Sequence, residues 1–130
     1  MKGLVCKMNI KDLEKNIDYK EFRYPKEFIK ILELNLIDFD VWYILSGDEF
    51  LNKLNGLKKR YPKRKLIPFA KRADNDDVAC FEVGYNEGQV QLIHDFASEG
   101  FEQVSIYNNF WLWFKDAIDE LIEFNKIELE

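Results

Sequence analysis

The stretch that most constrains the fold is residues 66–96, LIPFAKRADNDDVACFEVGYNEGQVQLIHDF. It divides into an apolar run, a polar loop, an alternating run, a turn and a second alternating run. Val78, Cys80 and Glu82 oppose Ala79, Phe81 and Val83, as successive strand residues do. Val90, Leu92, His94 and Phe96 likewise oppose Gln89, Gln91, Ile93 and Asp95. Asn86-Glu87-Gly88 between them is a turn, because Gly88 accepts positive φ at no steric cost. Two alternating runs about a short glycine loop predict a hairpin. Residues 66–70 predict a further short strand, and Pro68, which has no N–H to donate, marks it as a sheet edge or a strand end.

The flanking segments predict helices and two more extended pieces. Pro25 suits a first helical turn, and Phe28, Ile31 and Leu32 follow at helical spacing, so a helix is expected over 25–34. Residues 38–45, DFDVWYIL, are aromatic and β-branched and read as a strand. Ser46 with Asp48 and Glu49 reads as a helix N-terminus, carried on by Phe50, Leu51, Leu54 and Leu57 and closed by Lys58, Lys59, Arg60 and Pro62. Residues 102–107 suggest a short edge strand. Asn108 or Asn109 then caps a final helix with an apolar stripe of Phe110, Phe114, Ala117, Ile118, Leu121 and Phe124. Trp111, Trp113 and Ile122 flank that stripe, and Asp116, Asp119, Glu120 and Glu123 fall on the opposite arc, with Leu112 among them. Residues 1–23 are weakly patterned and read as a short helix or an extended lead-in. The expected architecture is α+β, a mostly antiparallel sheet of about four to six strands with helices packed on one side.

A length of 130 residues is one ordinary domain, and 47% hydrophobic against 33% charged residues excludes a disordered chain. The net charge of −5 is unevenly spread. Residues 95–130 hold nine acids against Lys115 and Lys126, a balance of −7, which leaves +2 for the remainder. Such a surface repels nucleic acid and steers basic partners. The run KKRYPKRK at 58–65 is the exception, and with no glycine-rich cradle nearby it reads as a helix end and a solvated loop. No run approaches the roughly 20 apolar residues of a membrane span. Residues 1–16 lack a continuous apolar core for a signal segment, and Cys6 and Cys80 form no disulfide framework, so the expected location is cytoplasmic.

Chemistry-bearing patterns are few. Asp74-Asn75-Asp76-Asp77 fails as a calcium loop, since Val78 and Tyr85 stand where oxygen ligands are needed, and it reads as a turn. His94 and Asp95 are strand neighbours and point to opposite faces. Cys80 and His94 on one sheet face would suggest a Cys/His hydrolase, although no third orienting group accompanies them. No catalytic residue, cofactor or metal is therefore assigned.

Several motifs resemble the SUKH superfamily, the Smi/Knr-like group of cell-wall-synthesis regulators and bacterial immunity proteins. They are Tyr24-Pro25 before the first long helix, the strand Ile67-Pro68-Phe69-Ala70, the acidic loop 74–77, Cys80-Phe81-Glu82, the strand at Val90, and the aromatic helix start at 110–114. The likeness covers residues 24–124; one departure is Leu34-Asn35-Leu36 where many members carry Asn-Gly. The resemblance implies an α+β fold and an immunity protein that binds and blocks a toxin, often a nuclease. Its alternative is a regulatory or adaptor domain for a cellular protein. Either role expects a protein partner; for a basic toxin, charge complementarity nominates an acidic contact surface of Asp74, Asp76, Asp77, Asp95, Glu99 and Glu102.

Overall fold

The computed structural model describes residues 9–129, of which 127–129 are described as backbone only. Cys6 and the N-terminal residues 1–8 lie outside that range. The elements in order are α1 (Ile10–Glu14), α2 (Lys26–Glu33), β1 (Asp38–Phe39), β2 (Trp42–Ile44), α3 (Gly47–Arg60), β3 (Leu66–Arg72), β4 (Asp77–Glu82), β5 (Val90–His94), β6 (Gln103–Tyr107) and α4 (Phe110–Leu129). The six strands form one sheet in sequence order, and every adjacent pair is antiparallel. The α+β class and the antiparallel sheet are as expected. Residues 9–23 combine both readings of the lead-in, a five-residue helix followed by irregular chain.

The helices cover both faces of the sheet, not one. Trp42 and Tyr43 are successive residues of β2 and so point to opposite faces. Trp42 donates to Glu120 of α4, while the Tyr43 hydroxyl donates to Glu49 of α3. The central strands agree: Leu66 to Ala70 and Val78 to Phe81 are buried without alternation, as a strand covered on both faces must be. The period-2 pattern of polar and apolar residues in β4 was weak for this reason.

Two further expectations change. The run 38–45 is a tight hairpin of two strands, with Asp40 at φ 64° in the turn. An aspartate tolerates that left-handed conformation, and its N–H is held by the Asp38 carboxylate at 3.0 Å. β3 is an interior strand, although it contains Pro68. Its pairing with β2 begins only at Ala70, and a bulge lies between Pro68 and Ala70, so the missing N–H falls where the ladder is already interrupted. Asn35 follows α2 at φ 60°, and the N–H of Leu36 returns to the Ile31 carbonyl at 2.9 Å. Asparagine thus supplies the left-handed helix end that a glycine often provides.

The α4 face of the sheet is an aromatic cluster. The Phe69 ring stacks on Phe81 at 4.4 Å and meets Trp113 edge-on at 4.8 Å, with Phe28 and Phe110 at 5.5 and 5.6 Å. Asn109 caps α4 by accepting from the Leu112 N–H. The helix is rotated from the expected stripe: Phe110, Trp113 and Ala117 are its buried line, and Phe124 is exposed. Trp113, placed by periodicity on the flank, has the largest ring and sinks to the centre. The turn draws Glu120 inward, where it accepts from Trp42 Nε1 at 2.9 Å and Arg72 Nη1 at 2.6 Å.

Phe69→Ala would remove the ring that this cluster shares. Its expected cost is about 3–5 kcal/mol in denaturant unfolding, and a loss near that of an exposed phenylalanine would refute the central place given to Phe69.

Candidate functional site

The sheet end formed by the β3–β4 and β5–β6 loops carries most of the expected site. The two loops lie side by side, joined by the Asp95 N–H donating to the Asp76 carbonyl at 3.0 Å. Asp74, Asp76 and Glu99 are exposed there. Asp74 is gripped by Arg72 through Nε at 2.8 Å and Nη2 at 3.0 Å, and that hydrogen bonding holds its carboxyl below the usual range. Asp77 is half-buried and contacts His94 Nδ1 at 2.7 Å. The interior of the 73–76 loop is occupied by Lys71, whose ammonium donates to the carbonyls of Arg72 and Asn75, both at 2.9 Å. A cation of the chain itself therefore takes the Asn75 carbonyl of the Asp74–Asp77 turn, and the Asp95 N–H takes that of Asp76.

Asp95 and Glu102 are not on the contact surface. Asp95 is 1% exposed and Glu102 6%. Asp95 immediately follows β5, on the α3 side, where Lys53 Nζ, Arg60 Nε and Arg60 Nη2 each reach its carboxylate at 2.7 Å. Burial pushes its carboxyl up, but the hydrogen bonds from Arg60 and Lys53 outweigh burial and hold it below the ordinary value. Lys53, Gly56 and Arg60 stand at helical spacing on one side of α3. A Cβ on Gly56 would lie 2.5 Å from Arg60 Nη2, so a helix-weakening glycine stands where the guanidinium folds back. Glu102 accepts from Arg64 Nη1 at 3.0 Å and from the Gly100 N–H at 2.7 Å. Arg64 also grips Glu82 with two hydrogen bonds, 2.9 and 2.7 Å. The basic run 58–65 is thus only partly solvated, since Arg60 and Arg64 are the counter-ions of buried acids. Lys58 and Lys65 also meet Asp18 and Glu21 at the surface.

Between these two anchors the loop 96–101 is tied to the rest of the fold by hydrogen bonds. Tyr61, buried, donates its hydroxyl to the Ala97 carbonyl at 2.7 Å, and the Phe101 N–H returns to Ser98 at 2.9 Å. Phe96 sits at φ 70°, unusual for a bulky side chain, with its N–H on the Asp95 carboxylate at 2.8 Å. Its ring lies 4.1 Å from the Arg60 guanidinium and 5.1 Å from Lys53 Nζ. Phe96 is 61% exposed and Phe101 82%. The sequence marked Phe96 only as one member of a strand pattern and gave Phe101 no role; their exposure follows from the strand ending at His94.

Cys80 and His94 do not share a face. Cys80 pairs with Gln91 and His94 with Asp77, three residues away along each strand, and that odd offset puts the thiol on the α3 face and the imidazole on the other. Cys80 is fully buried, and burial pushes its thiol well above the ordinary value. Among the described residues no group of His, Cys, Asp and Glu is arranged to hold a metal ion, and no described helix is long and apolar enough to cross a membrane. Compared with family models, curated proteins and solved structures, the chain matches none. The likeness to the SUKH superfamily rests on its motifs alone.

Because the folded-state pKa of Asp95 is depressed, its contribution to stability is complete above the unfolded carboxyl value and is lost as pH falls through the folded one. Stability should therefore decline below about pH 4. Asp95→Asn leaves two cations facing a neutral amide; it should cost about 3 kcal/mol at neutral pH and flatten that acid limb in urea titrations. An unchanged acid limb would remove Asp95 as its source.

Proposed function

We propose that this chain is a non-catalytic, immunity-type protein that binds a basic toxin domain, by the SUKH likeness a nuclease, and blocks it stoichiometrically in the cytoplasm. The observation that carries the reading is the charge of one sheet end. The β1–β2 turn joins the 73–76 loop through the Ala73 N–H on the Val41 carbonyl, and that loop joins the β5–β6 loop. Asp40, Asp74, Asp76, Asp77 and Glu99 gather there against Lys71 and Arg72. Lys53, Arg60 and Arg64 are matched by Asp95, Glu82 and Glu102, so the buried network adds no net charge. A negative sheet end steers a positive partner and speeds encounter, more so at low salt.

The test is co-expression with the product of the neighbouring gene, followed by association kinetics at several salt concentrations. A stoichiometric complex that abolishes toxicity is expected. The variant Asp74→Lys, Asp76→Lys, Glu99→Lys should slow association by about tenfold or more at low salt and flatten the salt dependence. Unchanged rates in the variant would move the interface elsewhere. A stable complex with a cellular protein and no rescue from toxicity would favour the adaptor reading.

A further inference from the structure

We infer that the loop 96–101 is a preorganised aromatic anchor, and that Phe96 and Phe101 insert into apolar sockets on a partner surface ringed by lysines and arginines. The inference rests on the protein-binding reading above and names the contact that would hold the complex, where the acidic rim supplies steering.

Three features converge on this loop. Its two ends carry phenylalanines that the fold does not bury, and Phe101 has the highest exposure among the exposed large hydrophobic side chains of the described residues. Burying a phenylalanine yields roughly 1.5–3 kcal/mol relative to leaving it in water, so two largely exposed phenylalanines in one loop, even with Phe96 resting on Arg60, forgo stability that this fold collects elsewhere. Its backbone is held in a conformation that Phe96 disfavours, φ 70°. The surrounding contacts impose it: the Asp95 carboxylate on the Phe96 N–H, Tyr61 on the Ala97 carbonyl, Glu102 on the Gly100 N–H. Those contacts order the loop before any partner arrives, which lowers the entropy cost of docking.

The rim decides the partner's chemistry. Glu99 lies between the two rings in the loop, and Asp76 stands in the loop bonded to its start. The cations nearest Phe96, Lys53 and Arg60, are spent on Asp95. A ring pair with an acidic border fits a basic protein surface with apolar pockets, the arrangement in which aromatic hot spots act and polar rims exclude water. Polar single-stranded nucleic acid would meet the same rings but also the carboxylates, and is disfavoured.

The experiment uses the full chain and, as probe, the purified product of the neighbouring gene. Phe101→Ser and Phe96→Gly are compared with Tyr85→Ser, which removes a ring about as exposed as Phe96 at the opposite end of the sheet, in the β4–β5 turn. Glycine suits φ 70°, so Phe96→Gly should keep its circular dichroism and cooperative melting. Each loop variant should weaken the complex at least about 30-fold, mainly through faster dissociation, while Tyr85→Ser changes nothing. Wild-type binding with loop variants that bind equally well would overturn the anchor and leave the immunity reading standing. Absence of any wild-type complex would overturn both.

Discussion

Asp95 is a carboxylate with no access to water, and much of the molecule is arranged around that fact. An unpaired charge in such a place would be prohibitively unstable. Its neutralisation requires Lys53 and Arg60 on one side of α3, which sets how that helix rotates against β5. It also accounts for Gly56, whose missing side chain leaves room for the guanidinium. The same carboxylate takes the Phe96 N–H and thereby fixes where the β5–β6 loop begins. Glu102 closes the loop in the same manner through Arg64, which reaches across to Glu82 of β4. Two ionic clusters therefore bind helix, sheet and loop on the α3 side.

The opposite face is held by different physics. Phe69, Phe81, Phe110 and Trp113 pack as stacked and edge-on rings, and a second pair, Phe39 and Phe114, extends the contact to the sheet margin. Glu120 reaches into that face as one half of an ion pair: it accepts from the Trp42 indole and from Arg72, whose guanidinium also lies over the Trp42 ring. Arg72 reaches from that site to Asp74, so the aromatic side and the acidic sheet end share one residue. Both faces also bury apolar side chains, since Phe50, Leu54 and Leu57 of α3 are fully covered, so burial supplies stability on each side while the ion pairs specify geometry at little net gain.

That division leaves the acidic sheet end preformed, in keeping with the binding role proposed above. The loops at the acidic end are short, and each is tied back to the sheet or to its neighbour. Phe101 and the loop carboxylates stay outward, while Phe96 rests one face of its ring on Arg60 and exposes the rest. A binding protein built so has little ordering left to do when it docks.

The sequence by itself determined the element types, because periodicity, caps and turn residues act locally. The long helices, the hairpin over β4 and β5, the edge strand β6 and the Asn109 cap were all legible. The SUKH-like motifs sit on those same elements. The tertiary structure alone decided which residues meet. It set helices on both faces, because burial of Cys80 and Phe81 on successive positions depends on what lies above and below the strand. It turned α4 so that Trp113 faces inward, since ring size outweighs position on an ideal helical wheel. It also withdrew Asp95 and Glu102 from the acidic surface. Their cations lie 35 to 42 residues away in sequence, and no local pattern announces a partner that only folding brings within hydrogen-bonding distance.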